Sequence, residues 1–228
     1  MAVVAGDTPI YEAVSPHPAG SSTPRRFAAR AATLGYDGLI VDGGDLPADP
    51  ACDMVDAAVL TGPDVASMSG GLHQLRTAHT VLIVVGGDHQ RNRFAVDHAA
   101  VDVLSGAIAE RMAVNHVIVN HAREHDVAVA VDLGPIITAA GGSLVRYLQR
   151  CRELIRLLEH ADAPYVVTVG ARSHRMLRAP RDLDALGALI GVDPGWVEEG
   201  LRRWGQIVSR NRRRMDAPAP GVTVEEDP

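Results

Sequence analysis

Residues 80–106 read TVLIVVGGDHQRNRFAVDHAAVDVLSG. Two apolar runs, VLIVV and VDVL, bracket a two-glycine turn, an Asp-His pair and Arg91-Asn92-Arg93. Both runs are short, rich in Val and apolar on both faces. That pattern marks parallel strands covered by helices, because a half-exposed antiparallel strand would alternate apolar with polar residues.

The same signature recurs on either side. With TVLIVVGG (80–87) and VDVLSG (101–106), the runs YEAVSPH (11–17), GLIVD (38–42), AAVLTG (57–62), VAVAVDLG (127–134) and YVVTVG (165–170) make seven strand-like segments. Helical patterns separate several of them. Residues 22–35 open on Ser-Ser-Thr-Pro, a cap followed by proline near the first turn, and stop at glycine. Residues 143–160 are the clearest helix: Leu144, Tyr147, Leu148, Cys151, Leu154, Ile155 and Leu158 recur at three and four residues. Residues 183–190 and 196–212 give two more. Seven strands, each followed by a helix or loop, predict an α/β fold of the TIM-barrel-like kind, a seven-stranded β/α barrel over residues 1–215. An open doubly wound sheet is the alternative. Residues 43–53 are turn-rich, and the Pro-rich acidic stretch 216–228 is expected to be a disordered tail.

Composition bounds the function. The chain of 228 residues carries 22 arginines, no lysine and 28 acidic residues, a formal charge of −6 that supplies no global pull toward nucleic acid. Any RNA contact needs a local basic patch. Aromatic residues are 4% of the chain, so the core must be Val, Leu, Ile and Ala. Cys52 and Cys151 form no CxxC pair, which fits a reducing compartment. With neither a secretory signal nor an apolar run near the ~20 residues of a membrane span, a soluble cytoplasmic protein is expected.

In a β/α barrel the chemistry collects at the strand ends. His17, Asp42, His89, Asp132 and His174 stand there, and their ligand types suit zinc or manganese. The spacing carries no HxH, HExxH or DxD, and scattered polar residues at loop starts are the plainer reading. His98, His116, His121 and His125 lie in helix-like stretches; His121 and His125 are one turn apart, as ligands or as a solvated face. Gly86-Gly87 with Arg91 and Arg93 resembles a phosphate cradle but lacks either phosphate-loop motif, and Ser173-His174 lacks a nucleophile-elbow context. Arg172, Arg175, Arg178 and Arg181 recur every three residues, and Arg202, Arg203, Arg210, Arg212, Arg213 and Arg214 crowd the terminal helix. These are the dense positive zones of an acidic chain, and the terminal run also reads as a solvated helix face.

Four stretches resemble the ribonuclease P protein component 3 family, the thirty-kilodalton subunit shared by archaeal and eukaryotic ribonuclease P, its haloarchaeal members most. They are YEAVSPHPAGSSTPRRFAARAATLGYDGLIV from Tyr11, NRFAVDHAAVDVLSG from Asn92, the region from Val127 to Gly191, and WVEEGLRRWGQIVSRN from Trp196. The resemblance implies a barrel related to the polymerase and histidinol phosphatase domain. It also implies an accessory role: the RNA subunit removes 5′ leaders from precursor tRNA, while component 3 pairs with component 2, as a heterodimer or heterotetramer, and supports that RNA. The chain departs from the phosphatase pattern. Ser15 and His17 stand where that domain has two histidines, and Ser105 and Gly106 stand where a phosphoesterase presents histidine. No cofactor, metal or catalytic residue is therefore expected in the isolated chain, and precursor tRNA is engaged only indirectly. Asn92 is expected to brace its loop. Arg91, Arg93, Arg172, Ser173, His174, Arg175 and Arg178 are the expected RNA or partner contacts, with an Arg93 pairing along its helix as the competing reading. The alternative function is a metal-dependent phosphoesterase using His17, His89, Asp132 and His174.

Overall fold

The computed structural model describes residues 8–108 and 113–216. Within these residues seven strands and eight helices follow in the order β1 (Tyr11–Val14), α1 (Pro24–Leu34), β2 (Gly38–Asp42), β3 (Asp53–Leu60), α2 (Val65–Ala78), β4 (Val81–Val85), α3 (His89–Val96), β5 (Val103–Ser105), α4 (His116–Glu124), β6 (Ala128–Asp132), α5 (Gly134–Thr138), α6 (Gly141–Ala161), β7 (Tyr165–Thr168), α7 (Pro180–Ile190) and α8 (Trp196–Asp216). The expected tail, past Asp216, lies outside the described residues. Among those described, no helix is long and apolar enough to cross a membrane.

Every adjacent strand pair is parallel and the sheet order follows the sequence, β1 to β7. The sheet then closes. Val14 bridges in parallel to Ala171, and the Ser15 N–H donates to the Ala171 carbonyl at 3.0 Å. The doubly wound alternative is thereby replaced by a barrel.

The closing seam is thin, and a side chain fills it. Glu12 is fully buried. Its Oε1 accepts from Thr168 Oγ1 at 2.5 Å, from the Ala13 N–H at 2.9 Å and from the Val169 N–H at 3.3 Å. One carboxyl thus satisfies backbone donors between strands that lack a full ladder, which buried N–H groups require. Burial pushes this carboxyl up to about 8, against the opposing pull of those hydrogen bonds.

Successive strand residues face opposite sides. Ile40, Ala57, Ile83, Val103, Ala130 and Val166 pack with one another inside the barrel, whereas Leu39, Val41, Leu82, Val84, Leu104 and Val167 belong to the larger cluster under the surrounding helices. The inner cluster also contains Trp204, Ile207 and Val208 of α8, and the Trp204 indole N–H donates to the Val167 carbonyl at 3.0 Å. The terminal helix keeps an exposed face that carries Glu198, Glu199 and Gln206, and its other face plugs the barrel floor.

Its arginines consequently meet the start of one strand after another. Arg202 donates to the Thr8 carbonyl before β1, and Arg212 pairs with Asp53 at the first residue of β3 at 2.8 Å. Asn211 donates to the Thr80 carbonyl before β4 at 2.9 Å. Arg210 reaches Asp102 before β5 at 2.8 Å and Asp126 before β6, and Arg203 also pairs with Asp126. Asp102 is the hub. It is 1% exposed and accepts from Arg76 at 2.5 Å and from Arg210, Asn211 and the Leu82 N–H at 2.8 Å each.

Candidate nucleic-acid interface

The opposite end of the barrel, where strands run into loops, holds a cavity of about 320 Å³. Ser15, Asp42, Ser105, Gly106, Asp132, Tyr147 and Thr168 line it, with aliphatic strand residues and Trp204 at depth. Asp42 and Asp132 are both pushed above the ordinary carboxylate value by burial, against the Ser15 hydroxyl and Arg172 at Asp42 and the Gly134 N–H at Asp132. Two carboxylates therefore reach the mouth, but no histidine lines it. His17 and His89 are exposed, and His174 is engaged with Ser22 at 2.8 Å through Nδ1. The His17, His89, Asp132 and His174 set of the phosphoesterase reading is not gathered. Among the described residues, the one group of three or more side chains able to share a cation is Asp97, His121 and His125, outside this mouth.

The Gly86-Gly87 turn has a structural answer. Asn92 is completely buried, accepts from the Gly87 N–H at 3.0 Å and donates to the Ala113 carbonyl at 3.1 Å. A Cβ at position 86 would lie 1.9 Å from the Asn92 amide oxygen, so only glycine admits this brace. Asp88 caps α3 by accepting from the Arg91 N–H at 2.9 Å. That bond, with the Arg91 side chain, holds its carboxyl below the ordinary range against desolvation. Arg91 pairs with Asp88 at 2.6 Å, and Arg93 pairs with Asp97, one turn on, at 2.6 Å. Both arginines expected at RNA or a partner thus spend their Nε on a carboxylate of their own chain.

The segment after β7 is organised differently. The Ser21 N–H donates to the Arg172 carbonyl at 2.7 Å, the His174 N–H donates to Ser22 Oγ at 3.1 Å, and the Arg172 guanidinium donates to the Ala19 carbonyl. A Cβ at Gly20 would clash with the Arg172 carbonyl oxygen, so the two loops touch backbone to backbone. Ser173 Oγ accepts from the Arg175 N–H at 3.4 Å. Arg178 turns its Nη1 back onto the carbonyls of Arg175, Met176 and Leu177 at 2.9–3.2 Å. Arg172 and Arg178 therefore hold loops, while Arg175 is exposed.

Arg175 and His174 border a surface depression whose other walls are Arg26, Ala29, Arg30 and Thr33 of α1. Three arginines and a histidine converge there without a carboxylate among the lining residues. Planar guanidinium forks so arranged suit phosphate oxygens. Arg26 and Arg30 were not among the expected contacts. The available signal was that α1, PRRFAARAATL, has three arginines and no acidic residue to pair with them.

Comparison with known proteins gives this geometry a family setting. The sequence model described as RNase P subunit p30 matches residues 51–216. The chain is 43% identical over 232 aligned positions to the Haloarcula marismortui protein named ribonuclease P protein component 3, covering 96% of this chain and 98% of that one. Its fold is similar to a chain in a cryo-EM structure of archaeal ribonuclease P with mature tRNA, with a TM-score of 0.78, 17% identity and coverage of 95% of this chain and 98% of that one. It is also similar in fold, at a TM-score of 0.50 and 8% identity, to histidinol phosphate phosphatase from Lactococcus lactis, covering 89% of this chain and 93% of that one.

Proposed function

Since the chain belongs to the RNase P subunit p30 family, we propose that it is a protein subunit of ribonuclease P that supports the catalytic RNA in removing 5′ leaders from precursor tRNA. The observation that carries this reading is the near full-length likeness to the haloarchaeal component 3 protein. The chain acts as one barrel domain over residues 1–215. Its partners are the ribonuclease P RNA and protein component 2, and it meets precursor tRNA through the assembled particle.

The isolated chain is not the nuclease in this reading. A hydrolytic metal centre needs three or more converging ligands, and Asp42 and Asp132 are joined at the barrel mouth by serine, threonine and tyrosine. The RNA side is the rim patch of Arg26, Arg30, His174 and Arg175, with Arg172, Ser173 and Arg178 shaping the loop that presents it. Arg91 and Arg93 contribute through the α3 surface.

Reconstitution tests the reading. Catalytic RNA and the partner proteins, assayed on precursor tRNA with and without this chain, should process the 5′ leader faster when it is present. The chain alone should leave the substrate intact. Site-specific 5′ cleavage by RNA-free protein would overturn the proposal.

A further inference from the structure

The helices α3 and α4 lie side by side, tied by the Asn92 side chain to the Ala113 carbonyl. Asn115 caps α4 by accepting from the Val117 and Ile118 N–H groups, which fixes the start of that helix. His121 and His125, four residues apart, therefore share one face, with ring centroids 6.1 Å apart. Asp97 sits at the C-cap of α3 and faces them. One ligand atom from each of the three residues falls within 4.8 Å of the other two.

Asp97 Oδ1, His121 Nδ1 and His125 Nδ1 are each buried with no hydrogen-bond partner. They make up three of the six such side-chain atoms among the described residues. Buried polar atoms are normally satisfied, so three orphans within one cluster of possible ligands call for a shared partner. Asp97 Oδ1 and His121 Nδ1 approach to 2.8 Å without hydrogen-bond geometry. Two ligands held about 2.0–2.1 Å from one zinc ion at right to tetrahedral angles stand about 2.8–3.4 Å apart. The other carboxylate oxygen, Oδ2, is already engaged by Arg93 Nε at 2.6 Å, the outer contact that orients a ligating carboxylate.

We propose that Asp97, His121 and His125 form a binding site for a divalent transition-metal cation, zinc by its ligand set, that pins the end of α3 to α4. Two imidazoles with one carboxylate suit zinc, whereas magnesium and calcium take all-oxygen shells. The His121 and Asp97 side chains are 25% and 33% exposed, so water completes the coordination shell. The role is structural. In this reading Arg93 is an outer-shell residue of the site.

The test uses the full-length chain with any tag removed, stripped with chelator and titrated with zinc by calorimetry. One zinc per chain should remain after desalting, and zinc should raise the melting temperature. His121→Ala and His125→Ala should each abolish retention, and Arg93→Gln should weaken affinity by about 10- to 100-fold. His116→Ala, at the exposed first residue of α4, should bind like the parent. Cobalt(II) added to the parent protein should give the visible absorption of a nitrogen- and oxygen-ligated site, a readout that survives even if the histidine variants fail to fold. Sub-stoichiometric zinc with no thermal shift, an octahedral aqua-like cobalt spectrum, or full retention in folded His125→Ala would each overturn the proposal.

Discussion

Arg175 and Arg178 stand three residues apart with different tasks: one faces solvent in the rim depression, the other binds three carbonyls of its own loop. The triple substitution Arg26→Gln, Arg30→Gln, Arg175→Gln should therefore change stability by no more than about 0.5 kcal/mol. If the three side chains each meet a phosphate, it should also flatten the slope of log affinity for ribonuclease P RNA against log salt by about 2 units. An unchanged slope would move the RNA surface elsewhere. Arg178→Gln, by contrast, should cost about 1–2 kcal/mol in a urea melt, since it leaves those carbonyls without their charged donor. Period-three arginines were legible in the sequence, but their division into loop-holding and solvent-facing members was not, because backbone carbonyls leave no trace in residue type. Glu12 was hidden for a related reason, reading as a polar interruption in a strand. Its carboxyl rises from 4.5 unfolded to about 8 folded, so between those values the folded chain holds a proton that the unfolded chain has released. Stability should then fall as pH rises through that window, by up to about 1.4 kcal/mol per pH unit. Glu12→Gln removes this titration, and its stability relative to the parent should improve from pH 5 to pH 8. Parallel pH curves for the two proteins would contradict the assignment.

At the scale of elements, the strands were the readable part. All seven lie where short Val- and Ile-rich runs place them, because a parallel strand covered on both faces must be apolar throughout. The exception is instructive: β3 was expected from residue 57 but begins at Asp53. Aspartate argues against a strand, yet Asp53 is paired with Arg212 and Asp56 accepts from Thr80 Oγ1 at 2.6 Å, contacts made by distant segments. The helix α2 went unseen because Ser67, Ser69, Gly70 and Gly71 dilute its apolar stripe, and tertiary packing of Met68 and Leu72 supplies what propensity lacks. For α8 the sequence located the helix but left the destination of its arginines open, since a run of arginines reads alike whether water or buried carboxylates receive it. That difference is measurable at Asp102. Asp102→Ala strips Arg76, Arg210 and Asn211 of their common acceptor and should destabilise the chain by about 3–5 kcal/mol in denaturant melts. A loss below about 1 kcal/mol would mean that the helix floor is held by Trp204 and its apolar neighbours alone.

Across the whole molecule, these pairings sort the charge. The α8 arginines are largely matched against Asp53, Asp102, Asp126 and Glu198 on the barrel floor, while Arg26, Arg30 and Arg175 remain without ion pairs among the described residues on the rim. A chain of net charge −6 can thus still present phosphate with a locally positive rim. The native cysteines make this testable by directed cleavage. Burial, reinforced by Asp53, pushes the Cys52 thiol up to about 11, and burial pushes Cys151 up to about 12, with Asp132 adding to the rise. Thiolate is the reactive form, so an engineered exposed cysteine of ordinary pKa near 8.5 should take a label at pH 7 on the order of a hundredfold faster than either. Iron-EDTA tethered at Arg30→Cys should cut ribonuclease P RNA near the protein in the reconstituted particle. The same reagent at Met215→Cys, on the exposed end of α8 below the floor, should cut weakly or not at all. Strong cuts from position 215 with none from position 30 would invert the orientation and assign the RNA to the barrel floor.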